Sequence, residues 1–205
     1  MIVKICGITR LEDAQTAVAH GASAIGFVFW PASPRFIDPY RARKIAAALP
    51  PFVATVGVFV NQLSTYVNQV ANVVPLSVIQ LHGDEPPAFA ASLSRPVMKA
   101  VSAVDGGSAV AWPERVMLLV DAHDPVRRGG TGEKADWTLA ASLARKRRVF
   151  LAGGLTPDNI ASAVAAVRPF GVDVSSGVES SPGVKDPRRM AALFNAISQA
   201  QESTL

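Results

Sequence analysis

One cysteine in 205 residues cannot form an internal disulfide, so a reducing, cytoplasmic setting is the expectation. No run of apolar residues reaches the length of a membrane span, and the opening "MIVKICGITRLED" meets charge too early for a secretory leader. Neither a membrane nor an extracellular role is therefore expected. Histidines are few, and no His/Cys/Asp/Glu spacing suggests a metal site. Charge of one sign is also scarce: 20 Lys and Arg face 16 Asp and Glu, a net +4. The one dense basic run, "RKRR" at 145–148, sits where a helix is expected to end, and cations there complement the helix dipole. Nucleic-acid binding is not expected, whereas a mild positive balance suits a small anionic substrate. The dinucleotide fingerprint G-x-G-x-x-G is missing after the first apolar run, which reads "CGIT" instead.

What is present is repetition. Eight apolar runs of strand length recur: 2–6, 24–29, 53–60, 76–81, 96–101, 116–121, 148–153 and 171–175. Runs such as "VATVGVFV" are almost wholly apolar, as parallel strands covered on both faces should be. Between them lie helix signals. Thr9 and Glu12 read as a capping box before a helix closing at Gly21, and Asp38-Pro39 as an N-cap followed by Pro at the first helical position. Thr156-Pro157-Asp158 marks another helix start, and the last helix is expected from Pro187. Eight strand–helix units without a linker or composition shift predict one α/β domain over 1–205, a (β/α)8 TIM barrel. An open doubly wound sheet is the competing architecture.

In a barrel, functional groups gather where strands end. Here those places hold Cys6, "PASPR", Asn61, "HGDE", Asp121, "GG" and "SSG". Gly153, Gly154, Ser175, Ser176 and Gly177 fall after the seventh and eighth runs, where small residues and exposed N–H groups receive phosphate. Tight turns alone would also explain them. Cys6 and Asp121 close the first and sixth runs and would face each other across the mouth as base and acid. A strand-end cysteine can equally be packing. Arg35, in a loop stiffened by two prolines, can hold a carboxylate or phosphate with two prongs, or can lie in solvent. His82 reads as a hydrogen-bonding wall, and "RRGGTGEKADW" as a flap. Lys4 shares a strand face with Cys6, and if that face is interior its ammonium needs a carboxylate, for which Asp173 is the candidate.

Taken in order, "KICGIT", "GFVFWPASPR", "GVFVN", "QLHGDE", "LLVDA", "GGTGEKADW", "LAGGLTPDN" and "GVDVSSGVESSPGVKD" resemble the phosphoribosylanthranilate isomerase family along the whole chain. The resemblance implies a (β/α)8 barrel that performs an Amadori rearrangement in tryptophan biosynthesis without cofactor or metal. It implies Cys6 as general base, Asp121 as general acid, Arg35 on the anthranilate carboxylate, and phosphate at Gly153, Gly154 and Ser175–Gly177. The expected partner is a small phosphorylated aromatic sugar; the oligomeric state, monomer or homodimer, stays open. Rival readings are a sister enzyme such as indoleglycerol-phosphate synthase, a barrel that binds a phosphorylated metabolite without turnover, and a redox or nucleophilic role for Cys6.

Overall fold

The computed structural model describes residues 1–102, 109, 111–121 and 137–202. The eight expected strands form as β1 (Ile2–Ile5), β2 (Ala24–Val28), β3 (Ala54–Phe59), β4 (Val78–Leu81), β5 (Val97–Ser102), β6 (Met117–Asp121), β7 (Val149–Ala152) and β8 (Gly171–Val174). Each pairs in parallel with the next, and β8 pairs back onto β1, so the sheet closes into a barrel. Closure excludes the open doubly wound alternative. Because the strands are parallel and in register, residues paired across the sheet point the same way. Lys4 is level with Asp173, and Ser102 with Asp121 and then Ala152.

Helices α1 (Leu11–Ala19), α2 (Pro39–Ala47), α3 (Ser64–Val73), α4 (Thr138–Ala144), α5 (Ile160–Val167) and α6 (Pro187–Glu202) cover the outside. Their apolar stripes, among them Ala14 and Ala17 of α1 and Met190, Leu193 and Ile197 of α6, bury against outward-facing strand residues in one continuous core. A second, smaller apolar cluster fills the barrel interior with Met98, Leu119 and Phe150 and reaches the mouth at Ala152.

Local expectations are met unevenly. Asp38 caps α2 as expected, accepting from the N–H groups of Tyr40 (2.9 Å) and Arg41 (3.3 Å), with Pro39 at the first position. The Thr9–Glu12 box does not form: α1 starts after Arg10, and the Thr9 hydroxyl donates instead to the Gly183 carbonyl at 2.5 Å. A carbonyl in a distant turn out-competes the helix's own N–H groups. At α5 the helix begins at Ile160, after the Thr156-Pro157-Asp158 signal; Asn159 stands at the N-cap position without a side-chain cap, its Oδ1 instead accepting from the N–H of Thr156 upstream at 2.9 Å. Nor does the basic run simply face solvent. Arg147 reaches to the carbonyls of Trp112 and Pro113, both at 2.9 Å, and to that of Val116. Beyond β8 the chain makes a small antiparallel hairpin, β9 (Glu179–Ser181) and β10 (Val184–Lys185), which was not expected. The expected flap at 127–137 lies outside the described residues except for Trp137.

Candidate active site

At the C-terminal mouth the strand ends enclose a cavity of about 540 Å³, within the range of small-molecule sites. Cys6, Arg35, Asp121, Gly153, Gly154, Ser175 and Ser176 all line it. Gly177 does not. A Cβ there would lie 1.9 Å from the Leu155 carbonyl oxygen, so this glycine lets the loops after β7 and β8 touch. Gly153 and Gly154 turn the chain at φ +91° and +64°, backbone that favours glycine. Nothing lies within 4 Å of a Cβ built on Gly154, so conformation rather than space selects it.

Cys6 stands one residue past β1, its N–H bonded to the Val174 carbonyl (2.9 Å) and its own carbonyl accepting from Ser175 Oγ (3.2 Å). It is 8% exposed and packs against Val28 and Val58. Beneath it lies Lys4, fully buried, with Nζ 2.8 Å from Asp173 Oδ1. That is the ion pair expected from strand alternation. Burial pushes the Cys6 thiol up, Lys4 pulls it back, and Asp173 pushes it further up; the balance is a raised pKa. For Lys4 burial favours the neutral amine, but Asp173, aided by Cys6, outweighs it and holds the ammonium above its ordinary value. Helix α1 begins only at Leu11, five residues beyond Cys6, so the charge that favours the thiolate comes chiefly from Lys4.

Asp121 ends β6 on the opposite rim. Its Oδ2 is 3.9 Å from His82 Nε2, while His82 Nδ1 is 3.0 Å from Gln80 Nε2. Burial lowers the His82 pKa against the pull of Asp121 and Asp173, so a neutral imidazole forms that wall. The "HGDE" segment braces the rim: Glu85 accepts from the N–H groups of Asn61 (2.8 Å) and Gly83 (3.0 Å) and from Lys99 Nζ (2.8 Å).

Sequence reasoning missed Glu179 and Lys185. Glu179 holds Arg35 by Nε at 2.9 Å and Nη2 at 2.6 Å, and accepts from Lys185 Nζ at 2.8 Å. The Ser-Pro-Gly-Val turn at 181–184 is a hairpin signal that could have drawn attention to the segment. Among the described residues, no group of three His, Cys, Asp or Glu side chains is gathered to hold a metal ion, and no helix is long and apolar enough to cross a membrane.

A thiol, a carboxylate and a glycine loop gathered at the mouth of a closed parallel barrel, around one cavity of small-molecule size, define a (β/α)8 protein with a single candidate site among the described residues. Comparison with known proteins narrows this. The family model for N-(5'phosphoribosyl)anthranilate (PRA) isomerase matches residues 3–196. The N-(5'-phosphoribosyl)anthranilate isomerase of Citrifermentans bemidjiense is 49% identical over 205 residues, covering 99% of this chain and 98% of the relative. The crystal structure of phosphoribosyl anthranilate isomerase from Thermotoga maritima superimposes with a TM-score of 0.90 at 43% identity, covering 97% of this chain and all of that one. A second structure of such an isomerase, bound to reduced 1-(o-carboxyphenylamino)-1-deoxyribulose 5-phosphate, has a TM-score of 0.87 at 41% identity, with 97% and 100% covered. The chain belongs to the N-(5'-phosphoribosyl)anthranilate isomerase family.

Proposed function

We propose that Cys6 and Asp121 are the base and acid with which this chain carries out its family's reaction, the isomerisation of N-(5'-phosphoribosyl)anthranilate in tryptophan biosynthesis. The observation that carries the assignment is the convergence of Cys6, Asp121, Arg35 and the β7 glycine loop on one cavity of small-molecule size. Asp121 donates a proton to the ribose ring oxygen as the C1–O bond breaks and the anilino nitrogen lone pair forms C1=N. The Cys6 thiolate then removes the C2 proton, and those electrons flow to nitrogen to give an enolamine, which tautomerises to the ketose. Lys4 favours the thiolate from below, and Asp173 keeps Lys4 charged. Arg35 receives the ring carboxylate. Backbone N–H groups around Gly153, Gly154, Ser175 and Ser176 receive the phosphate, with Gly177 shaping their loop. The relative bound to a reduced carboxyphenylamino-deoxyribulose phosphate supports a ligand with both anionic groups.

The rival readings lose ground at the same site. A binder without turnover has no use for an acid and base at one cavity. Neither Lys4 nor Lys99 stands open to the mouth as the catalytic lysine of an indoleglycerol-phosphate synthase would, for both are buried and paired to carboxylates. The reaction supplies its own electrons internally, so the residues need no cofactor. A cytoplasmic location follows from the biosynthetic role. Whether the chain pairs is a question for sedimentation; one structural relative is a monomeric form of the dimeric isomerase from Thermotoga maritima.

Consumption of substrate fluorescence by the purified protein tests the assignment. Cys6→Ala and Asp121→Ala are each expected to lose about 10² to 10⁴ in kcat while retaining native circular dichroism. Wild-type turnover in Cys6→Ala would remove the base assignment.

A further inference from the structure

The guanidinium of Arg35 presents two edges, and the protein occupies one of them. Nε donates to both carboxylate oxygens of Glu179, at 2.9 and 3.2 Å, and Nη2 donates to Oε2 at 2.6 Å. The other edge, Nη1 with the second Nη2 proton, has no partner among the described residues, and Arg35 lines the cavity. Such an edge matches a planar carboxylate with two parallel hydrogen bonds.

Glu179 itself is fixed from several sides. It is 5% exposed at the start of β9, and its carbonyl accepts from Arg189 Nη1 at 2.5 Å. Oε1 accepts from Lys185 Nζ at 2.8 Å and from the Gly183 N–H at 3.3 Å. Lys185, 1% exposed, also donates to the Ser175 carbonyl at 3.1 Å, beside the loop after β8. Although burial favours the neutral acid, Arg35 and Lys185 hold Glu179 below the ordinary carboxylate range. Two cations around one carboxylate leave a net positive charge for an incoming anion.

We propose that Glu179 is a positioning residue that sets the enzyme's preference for a ring carboxylate, by clamping Arg35 so that its outer edge faces the mouth. This rests on the reading that Arg35 receives the anthranilate carboxylate. A guanidinium fixed by the fold loses less rotamer freedom on binding than one on a loose loop. Discrimination between carboxylated and uncarboxylated ligands therefore depends on Glu179, which touches neither.

The test compares inhibition by reduced 1-(o-carboxyphenylamino)-1-deoxyribulose 5-phosphate and by the same compound without its carboxylate. In Glu179→Gln the charge is lost and one acceptor oxygen becomes an NH2 that can only donate, so the two-oxygen grip on Nε and Nη2 is broken, and the preference for the carboxylated inhibitor is expected to fall by about 10-fold to 100-fold. Binding of the other inhibitor should hold, and KM for substrate should rise while kcat changes little. Arg35→Met should abolish the preference; if it does not, the reading of Arg35 fails independently of Glu179. If Arg35→Met abolishes it and Glu179→Gln leaves it intact, the clamp is overturned. Because Glu179→Gln strands a buried Lys185, the double variant Glu179→Gln/Lys185→Met removes that cation. A folded double variant that still lacks the preference supports the clamp, whereas restored preference overturns it.

Discussion

A thiol is a weak base held by a poor acid, and the residues around Cys6 are arranged to shift that balance. Burial alone would keep it protonated; the ammonium of Lys4 opposes this most strongly, with a smaller pull from Lys185. Thiolate-dependent activity rises as pH climbs through the thiol pKa, which lies above its ordinary value. Lys4→Met removes the opposing charge and leaves Asp173 nearby, so the rising limb of kcat/KM should move to higher pH. Activity near pH 7 should fall by about tenfold or more. A pH–rate profile with an unmoved limb would show that Lys4 has no electrostatic part. The close packing depends on an absent side chain as well. A Cβ on Gly26 would stand 2.9 Å from Cys6 Sγ and 3.0 Å from Lys4 Nζ, in the wall below the base. Gly26→Ala must displace one or both, and about 10²-fold is expected to be lost from kcat with binding largely kept, as single-turnover and inhibitor measurements would read.

Elements were legible in proportion to how local their determinants are. The eight strands could be read because parallel strands buried on both faces leave unbroken apolar runs, and seven of the observed strands fall inside the expected ones, β5 running one residue beyond, to Ser102. Asp38 could be read because a cap acts two and three residues onward; Asp38→Ala should cost about 1 kcal/mol, measurable by urea unfolding. Thr9 could not, since its actual acceptor, Gly183, is 174 positions away and nothing local announces it. The same holds at the site. Strand ends and the alternation linking Lys4 to Cys6 point to the mouth, whereas the clamp of Glu179 on Arg35 spans 144 positions and appears only once β8 closes on β1. The hairpin of β9 and β10 is the least legible piece: three and two residues long, it is too short to carry a periodic signal.

At the scale of the whole molecule, the barrel is apolar below and charged above. Three buried lysine–carboxylate pairs, Lys4–Asp173, Lys99–Glu85 and Lys185–Glu179, ring the upper end, each at 2.8 Å. Such pairs are weak grounds for stability in themselves, because desolvation offsets much of their attraction. Their consequence lies in pH. Burial works against ionisation of Glu85 and Glu179, but Lys99 for the first, and Arg35 with Lys185 for the second, hold both folded values below the ordinary 4.5. A depressed carboxylate contributes stability that is present above the unfolded value and lost as pH falls through the folded one. Lys4 has the opposite sense: raised above 10.5, it stabilises below that value and stops doing so as pH climbs through the folded one. Unfolding free energy should therefore hold its highest plateau between about pH 6.5 and 9, because lowered His82 begins to cost stability below the first value and raised Cys6 above the second. The steeper acid loss comes below about 4.5 with Glu85 and Glu179, and above about 10.5 Lys4 adds to the alkaline loss against the opposite pull of Lys185. Guanidinium titrations at a series of pH values would trace this. Replacing both acids, as Glu85→Gln/Glu179→Gln, should lower the neutral plateau and flatten the acid limb, because the groups that bind protons on unfolding are gone. An acid limb as steep in that variant as in the wild type would place the acid sensitivity in other carboxylates.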